Sequence, residues 1–208
     1  MSKAKLSKSS DAWLREHHAD PYVAKARQDG YRSRAAYKLL ELNQKNKLFK
    51  SGMKIVDLGA APGGWSQIAQ NIVTEHGKIF ALDILPMDPL ADVTFIQGDF
   101  TENEPYQELL ALTQNKKIDW VISDMAPNMS GNTTTDQIRS LYLVELAVDF
   151  AEQTLTTGGS FLAKIFHGAG SDDLIKNLRE SYSRVVIRKP DASRARSSEV
   201  YVIAFDKK

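Results

Sequence analysis

The chain has 208 residues, a length that fits one domain of ordinary size with a proper hydrophobic core. It has no cysteine, which excludes a disulfide framework, a thiolate nucleophile and a cysteine metal site, and its 4 histidines are too scattered for a zinc motif. No apolar run approaches the roughly 20 residues that a membrane span needs, and the first residues lack the apolar core of a signal peptide. These features predict a cytoplasmic protein with no metal and no membrane segment.

The net charge of +1 conceals a marked asymmetry along the chain. Residues 1–54 hold 13 lysine and arginine residues against 5 acidic ones, and residues 184–208 hold 7 against 3. Residues 55–183 hold 7 against 18. If the two basic ends meet on one face, that face suits a polyanion such as nucleic acid. A solvated basic helix and tail would give the same pattern without any partner.

The N-terminal part is predicted to be a basic helical extension over residues 10–52, preceded by a disordered stretch over residues 1–9. Ser10 is a suitable N-cap for a first short helix. A second helix is expected over 21–28, because proline favours a helix start and Asp29-Gly30 favours a stop.

A third helix is predicted from an N-cap at Ser33 to about Gln44. Four apolar side chains are expected to face the core: Ala36, Leu39, Leu40 and Phe49. Three basic side chains are expected to face outward together: Arg32, Arg34 and Lys38. Their alternation with Tyr31 and Tyr37 suits phosphate contact and base stacking. An amphipathic helix with a solvated basic face explains the pattern equally well.

From residue 53 onward, strand and helix patterns alternate. The candidate strands are 53–58, 78–82, 93–96, 118–123, 160–166, 184–189 and 199–205. The candidate helices are 63–74, 104–114, 136–156 and 171–182. This alternation predicts an α/β fold with a doubly wound, Rossmann-like, mostly parallel seven-stranded sheet. Because no helix separates the last two strands, the final strand should be antiparallel. We therefore expect one domain over 1–208, with its core over 53–208.

Residues 53–67 read as a buried strand, a glycine-rich turn and a helix start, which is the arrangement of a nucleotide site. The dinucleotide fingerprint requires a glycine where Ala61 stands, and the phosphate loop requires a lysine where Trp65 stands. An acidic Asp57 followed by glycines suits a cationic, phosphate-free ligand, which S-adenosylmethionine is. A turn without a ligand remains the alternative at this point.

Aspartates follow the later strands as well. Asp83, Asp99 and Asp124 come at the ends of the second, third and fourth predicted strands. In parallel sheets the ligand lies beyond these carboxyl ends. Any one of the three could be a turn aspartate, which is the more frequent role. Together with Asp57, they are difficult to explain by turns alone.

Two further charged residues lie in or next to apolar strands. Lys164 lies within the apolar strand 160–166, where an unpaired charge is costly. A strand-end lysine that extends to solvent is the alternative. Glu199 opens the last strand and by itself reads as a solvent-facing residue.

The most specific stretches resemble the FtsJ-type ribose 2′-O-methyltransferases. They are the cofactor loop 56–67, the stretch 123–131, the stretch 189–199 and the substrate-side helix 31–39. The resemblance runs in order from Trp13 to Phe205 and is strongest to the bacterial members that methylate a uridine of large-subunit ribosomal RNA. It implies S-adenosylmethionine as cofactor and ribosomal RNA or the large subunit as partner. Because nothing in the sequence indicates an oligomer, we expect a monomer.

The resemblance also implies roles for individual residues. The catalytic set falls on Lys38, Asp124, Lys164 and Glu199. Cofactor contacts fall on Gly63, Trp65, Asp83, Asp99 and Asp124. We expect RNA contacts from Arg32, Arg34, Lys38, Arg194 and Arg196.

The implied reaction is an in-line transfer of a sulfonium methyl group to a ribose 2′-oxygen. Two roles stay open for Lys164: a desolvated proton acceptor, or a charged group that orients the oxygen and stabilises the developing alkoxide. Lys38 is expected to align the ribose or its phosphate, and Glu199 is expected to orient Lys164. Two other classes compete: a small-molecule methyltransferase and a non-catalytic RNA-binding factor.

Overall fold

The computed structural model describes residues 20–114, 117–128, 130–168, 170–194 and 196–208. The disorder predicted for residues 1–9 and the short helix predicted after Ser10 lie outside the described residues. Within the described ranges, no helix is long and apolar enough to cross a membrane.

The described residues form six helices and seven strands. The helices are α1 (Pro21–Gln28), α2 (Ala35–Asn46), α3 (Gly64–Val73), α4 (Asn103–Thr113), α5 (Thr133–Thr154) and α6 (Ser171–Ser181). The strands are β1 (Lys54–Leu58), β2 (Lys78–Asp83), β3 (Val93–Gln97), β4 (Ile118–Ser123), β5 (Leu155–Phe166), β6 (Tyr182–Arg188) and β7 (Glu199–Lys207).

The seven strands form one sheet in the order β3-β2-β1-β4-β5-β7-β6. The pairs among β1 to β5 are parallel, and β7 is antiparallel to both of its neighbours, β5 and β6. The predicted fold class is therefore confirmed, including the antiparallel last strand. The strand order reverses between β1 and β4, where ligands of doubly wound sheets bind.

Helices cover both faces of the sheet. Ile55 and Trp120 point to one face and pack with side chains of α2 and α3, whereas Val56 and Val121 point to the other and pack with α4, α5 and α6. This alternation follows from the two-residue period of strands, and it divides the core into two layers. The layer under α2 and α3 also contains Tyr201, so these helices lie over the part of β7 next to the strand ends.

Two expectations for α2 are wrong. The helix begins at Ala35, and its N-cap is Arg34 without a side-chain cap hydrogen bond, so Ser33 does not cap it. Lys38 was expected to face solvent, but its exposure is only 9%. It is turned inward because a carboxylate, Glu199, is available to pair with it beneath the helix.

Strand β5 begins earlier than predicted, at Leu155 rather than at residue 160. Gly158 and Gly159 lie within the strand, and the chain stays in the sheet. Leu155 pairs with Ile118, and the register then shifts before Ser160 pairs with Trp120. The irregularity accommodates the glycines without ending the strand.

Gly59 joins β1 to the cofactor loop and has a φ of 78°. A Cβ atom there would lie 2.7 Å from Cγ of Met125 and 2.9 Å from its main-chain N and Cα atoms. The chain that follows β4 could not yield easily, because Asp124 extends the pairing with β1 by donating its N–H to Leu58 O.

We expect Gly59→Ala to lower the free energy of unfolding by about 1–3 kcal/mol more than Gly52→Ala does. Gly52 is the matched control, because its φ is 84° but no atom lies within 4 Å of the added Cβ. Urea denaturation of the two variants measures the difference. Equal losses would mean that the close approach to Met125 contributes nothing beyond backbone strain.

Candidate active site

A cavity of about 740 Å³ opens at the carboxyl ends of the central strands. Its walls include the turn after β1, the loop after β2 and the loop after β4. Three of the aspartates identified in the sequence line it: Asp83, Asp99 and Asp124. Among the described lining residues, Arg139 is the only basic one, and it is exposed. The cavity, here called the acidic cavity, therefore suits a ligand that carries positive charge and lacks phosphate.

Asp83 and Asp99 also organise their own loops. The two oxygens of Asp83 accept hydrogen bonds from the N–H groups of Ala61 and Leu85, both at 2.8 Å. Oδ1 of Asp99 accepts from the N–H and the hydroxyl of Thr101 at 2.9 and 2.7 Å. Each of the two aspartates therefore stabilises its own turn and also lines the acidic cavity. Each carboxylate is fixed before any ligand arrives.

Gly63 and Trp65, two of the predicted cofactor contacts, do not line the acidic cavity. Gly63 adopts a φ of 105° and is the N-cap of α3. The Trp65 indole is only 3% exposed, donates from Nε1 to Ala35 O at 2.9 Å, and packs against Tyr201 with ring centroids 5.7 Å apart. Trp65 therefore joins α3 to α2 behind the cofactor loop.

Asp57 differs from the other aspartates. It lies within β1 rather than beyond its end, is fully buried, and accepts a hydrogen bond from the Ser66 hydroxyl at 2.6 Å. Its Oδ1 is buried without a hydrogen-bond partner. The pKa of Asp57 is raised to about 7, chiefly by burial and additionally by the charges of Asp124 and Asp83, whereas hydrogen bonding from Ser66 opposes the shift. The expectation that Asp57 faces the ligand is not met, because its side chain points toward α3.

Lys164 and Asp124 form the first buried ion pair of the site. Nζ of Lys164 lies 3.0 Å from Oδ1 of Asp124 and donates to its main-chain O at 2.7 Å. Their side chains are 8% and 16% exposed. Lys164 therefore does not extend to solvent, which was the alternative reading of its strand position.

Asp124 is held in its ionised form by its neighbours. Burial is the largest single effect and favours the protonated acid, but the charges of Lys164 and Lys38 and the hydrogen bonds from Lys164 and Tyr201 together outweigh it. The pKa of Asp124 consequently lies below its usual value. The carboxylate stays charged at neutral pH and keeps the Lys164 amine in place.

Tyr201 belongs to the site and was not identified from the sequence. Its hydroxyl donates to Oδ1 of Asp124 at 2.9 Å, and the residue has no solvent exposure. Burial, followed by the charges of Asp124 and Glu199, raises the pKa of Tyr201 well above its usual value, so it remains a donor. The signal was its position two residues after Glu199 on one strand, since such residues share a face.

Lys38 and Glu199 form the second ion pair. Nζ of Lys38 lies 2.7 Å from Oε1 of Glu199, and 5.6 Å from the centroid of the Tyr201 ring. The side chains are 11% and 13% exposed. We expected Glu199 to orient Lys164, but it pairs with Lys38, and Asp124 holds Lys164. The cluster thus consists of two pairs joined through Tyr201.

A second pocket, of about 550 Å³, adjoins the Lys38–Glu199 pair. Its lining residues are Arg34, Lys38, Arg194, Arg196, Ser197 and Glu199. We call it the basic pocket. The cluster therefore reaches two spaces of opposite character, since Asp124 lines the acidic cavity while Lys38 and Glu199 line the basic pocket.

Three of the arginines expected to contact RNA bind within the protein. Arg34 pairs with Asp20 and donates to Ala192 O, and Arg194 lies 3.6 Å from the same Asp20 carboxylate. This network ties the loop before β7 to the start of α1. Arg32 does not line the basic pocket and reaches the cofactor loop instead.

Asp136 is another residue that sequence reasoning missed. It lies in the first turn of α5, is 4% exposed, and accepts hydrogen bonds from Ser130 N and Oγ and from Gly131 N at 2.8, 2.7 and 3.1 Å. The main-chain bond from Ser130 is the largest of several effects that lower its pKa. Asp136 thereby fixes the loop that follows Asp124. An acid in the first turn of a helix was the available signal.

Comparison with known proteins gives the family. The model of the FtsJ-like methyltransferase family matches residues 31–207, a range that contains all four clustered residues. The chain belongs to this family. It is therefore an enzyme of the methyltransferase class, as the resemblance of its motifs implied.

Named relatives of this FtsJ-like methyltransferase are similar over nearly their whole length. Ribosomal RNA large subunit methyltransferase E of Marinobacter nauticus is 59% identical over 198 residues, which are 95% of this chain and 96% of the relative. The protein of the same name from Alcanivorax borkumensis is 55% identical over 205 residues, 99% of each chain. A crystal structure of a Plasmodium falciparum protein assigned as a ribosomal RNA methyltransferase has a TM-score of 0.74 and 33% identity, covering 85% of this chain and 98% of that one.

The geometry of the FtsJ-like methyltransferase determines what the site can do. It provides an acidic cavity that suits a cationic ligand, a basic pocket that suits an anionic one, and two buried amines in the cluster that connects them. Buried amines each paired with a carboxylate can position and polarise a hydroxyl group. Among the described residues, no group of three or more histidine, aspartate or glutamate side chains could hold a metal ion.

The raised pKa of Asp57 predicts a stability change with pH. Between pH about 4 and 7 the folded state keeps a proton that the unfolded state releases, so Asp57 makes the free energy of unfolding fall by up to about 4 kcal/mol as the pH rises. In Asp57→Asn this contribution disappears, because the amide does not titrate. Denaturation at pH 5, 6, 7 and 8 measures it, with the exposed Asp172→Asn as control. If the free energy of unfolding changes with pH in the same way in Asp57→Asn and in wild type, Asp57 is ionised throughout this pH range.

Proposed function

We propose that the protein transfers a methyl group from S-adenosylmethionine to the 2′-hydroxyl of a uridine in large-subunit (23S) ribosomal RNA. The observation that carries this proposal is the placement of the Lys164–Asp124 and Lys38–Glu199 pairs between an acidic cavity and a basic pocket. A cationic methyl donor suits the cavity, and a polyanionic acceptor suits the pocket. The names of the relatives supply the substrate class.

The acidic cavity fits S-adenosylmethionine in charge and in the kind of groups it offers. Asp83 would accept from the hydroxyls of the adenosyl ribose, and Asp99 from the adenine amino group. Asp124, which lines the same cavity, would neutralise the cationic end. Gly63 would contribute through its main chain, and Trp65 by supporting the loop from behind. When bound, the cofactor supplies an electrophilic methyl group whose transfer leaves a neutral thioether.

The chain's own residues would position the acceptor hydroxyl. Lys164 contacts two oxygens of Asp124, which fixes its amine beside a residue that lines the acidic cavity. In one role its ammonium orients the 2′-oxygen and stabilises the developing alkoxide while the proton passes to water or a carboxylate, and in the other its neutral amine takes the proton. Both roles make Lys164 indispensable. Lys38, fixed by Glu199, would align the ribose or its phosphate.

The basic pocket would receive the RNA strand. Lys38 and Arg196 line it, and Arg194 and Arg34 are brought there by the network around Asp20. Such side chains contact phosphates without regard to sequence, so they set position and not the identity of the base. The pocket is small for independent recognition of a long RNA. We therefore propose the assembled or assembling 50S subunit as the substrate, while the monomeric state and the cytoplasmic location stay predictions.

A small-molecule methyltransferase is disfavoured by the same pocket, because a neutral small acceptor has no use for four basic residues next to the reacting atoms. A non-catalytic RNA-binding factor is disfavoured by the two buried ion pairs. Burying paired charges costs desolvation free energy, which is more readily explained when the charges act in a reaction.

The deciding experiment is transfer of labelled methyl from S-adenosylmethionine to large ribosomal subunits that lack this modification, followed by nuclease mapping of the product. A single 2′-O-methylated uridine in the large-subunit RNA is the expected result. Labelling of free RNA alone would refute the subunit as substrate. No labelling of any RNA by protein that binds the cofactor would refute the RNA methyltransferase proposal.

Lys164→Ala should reduce methyl transfer by at least about a thousandfold, since it removes the group that orients or deprotonates the hydroxyl. S-adenosylmethionine binding, measured by calorimetry, should persist. Lys176→Ala, at an exposed position on α6, is the control and should keep wild-type turnover. Turnover near that of the control would exclude a catalytic role for Lys164.

Arg196→Ala should weaken binding to large-subunit RNA fragments and reduce the slope of log affinity against log salt by about 1, because one phosphate contact is lost. The control is Arg179→Ala, an exposed arginine on α6, a helix that packs on β6 and β7. Fluorescence anisotropy at several salt concentrations gives both slopes. A slope for Arg196→Ala equal to that of the control would remove Arg196 from the RNA surface.

A further inference from the structure

Arg32 lies in the turn between α1 and α2, and its side chain connects two loops that belong to other parts of the chain. Nη1 donates to Pro62 O at 3.3 Å, within the cofactor loop, and to Asp88 O at 2.6 Å, within the loop between β2 and β3. Nη2 donates to Pro89 O at 2.8 Å. One guanidinium therefore joins the cofactor loop to the β2–β3 loop.

The main chain of the same turn is joined to α3. The N–H of Arg32 donates to Gln67 Oε1 at 3.1 Å, and Gln67 Nε2 donates to Gly30 O at 3.0 Å. Gln67 lies in the first turn of α3 and is the last residue of the cofactor loop. The turn that precedes the Lys38 helix is thus bound to the cofactor loop through both its main chain and its side chain.

The contact is close as well as polar. A Cβ atom on Gly63 would lie 3.0 Å from Cδ and from Nη1 of Arg32, and 3.0 Å from Sδ of Met87. The cofactor loop, the Arg32 side chain and the β2–β3 loop consequently form one packed layer. A glycine at position 63 leaves the space that the arginine occupies.

These two loops provide two walls of the acidic cavity. Gly59 and Ala61 come from the cofactor loop, and Ile84 and Leu85 from the β2–β3 loop. We propose that Arg32 is a positioning residue that holds these walls at a fixed separation. It also fixes their position relative to helix α2, which carries Lys38. A guanidinium suits this role because its planar donors point in several fixed directions, whereas a lysine amine is a single point. Arg32 would then act on cofactor binding and not on RNA.

The test rests on the proposed function, because its probes are S-adenosylmethionine and S-adenosylhomocysteine. Calorimetry would compare wild type, Arg32→Ala and Arg32→Lys, with Arg179→Ala as control. We expect about a tenfold or larger rise in Kd for Arg32→Ala, little rescue in Arg32→Lys, and an unchanged salt slope for RNA binding. A Kd within twofold of wild type would overturn the proposal. Such a Kd together with a reduced salt slope would reassign Arg32 to phosphate contact.

A second readout needs no ligand. Hydrogen exchange of the cofactor-free proteins would follow the amides of residues 59–64 and 84–92, which should exchange faster in Arg32→Ala and Arg32→Lys than in wild type. Unchanged exchange in both loops would overturn the positioning role. If wild type bound neither probe, the proposed cofactor would be wrong, and the exchange data alone would decide the role of Arg32. Should Arg32→Ala unfold, the same thresholds apply to Arg32→Lys.

Discussion

The antiparallel pairing of β5 with β7 is the constraint on which the site depends. It places Lys164 opposite Tyr201, and the two-residue period of the strand brings Glu199 to the same face. That face is covered by α2, so Lys38 meets Glu199 there. A slip of one residue in the register would send the side chains of Lys164, Tyr201 or Glu199 to the opposite face and dismantle the cluster. The last strand, which is antiparallel to its neighbours, thus brings the residues of the cluster together.

Charge balance explains why two amines can be buried at this position. Each lysine has one carboxylate within 3.0 Å, and the Tyr201 hydroxyl satisfies Asp124 further. Removing one member of a buried pair typically costs about 3–5 kcal/mol, because the other charge is left without compensation. The pairs therefore couple the positions of α2, β4, β5 and β7 to one another. They also keep Asp124 ionised, so the acidic cavity remains negative at neutral pH.

The sequence was sufficient for the sheet and for naming four residues that the structure brings together, but not for their pairing. The strand 118–123 was predicted with its observed limits, because an apolar run ends in a serine and an aspartate. The inward orientation of Lys38 depends on how α2 docks over residue 199, a contact that no local pattern encodes. Tyr201 was overlooked because a tyrosine in an apolar strand resembles an ordinary core residue. Asp57 was placed at the ligand because sequence shows a strand end, not which way a side chain points.

The contacts that the N-terminal arginines make within the protein change the interpretation of the charge asymmetry. The excess of positive charge in residues 1–54 suggested a broad polyanion surface, but Arg32 and Arg34 bind carbonyl groups and Asp20 within the protein. Their charge stabilises the junction between the N-terminal turn, the cofactor loop and the loop before β7. A net charge counted along a segment therefore overstates the surface that RNA could use. Because a smaller basic surface binds free RNA less tightly, this arrangement supports a ribonucleoprotein substrate that supplies further contacts of its own.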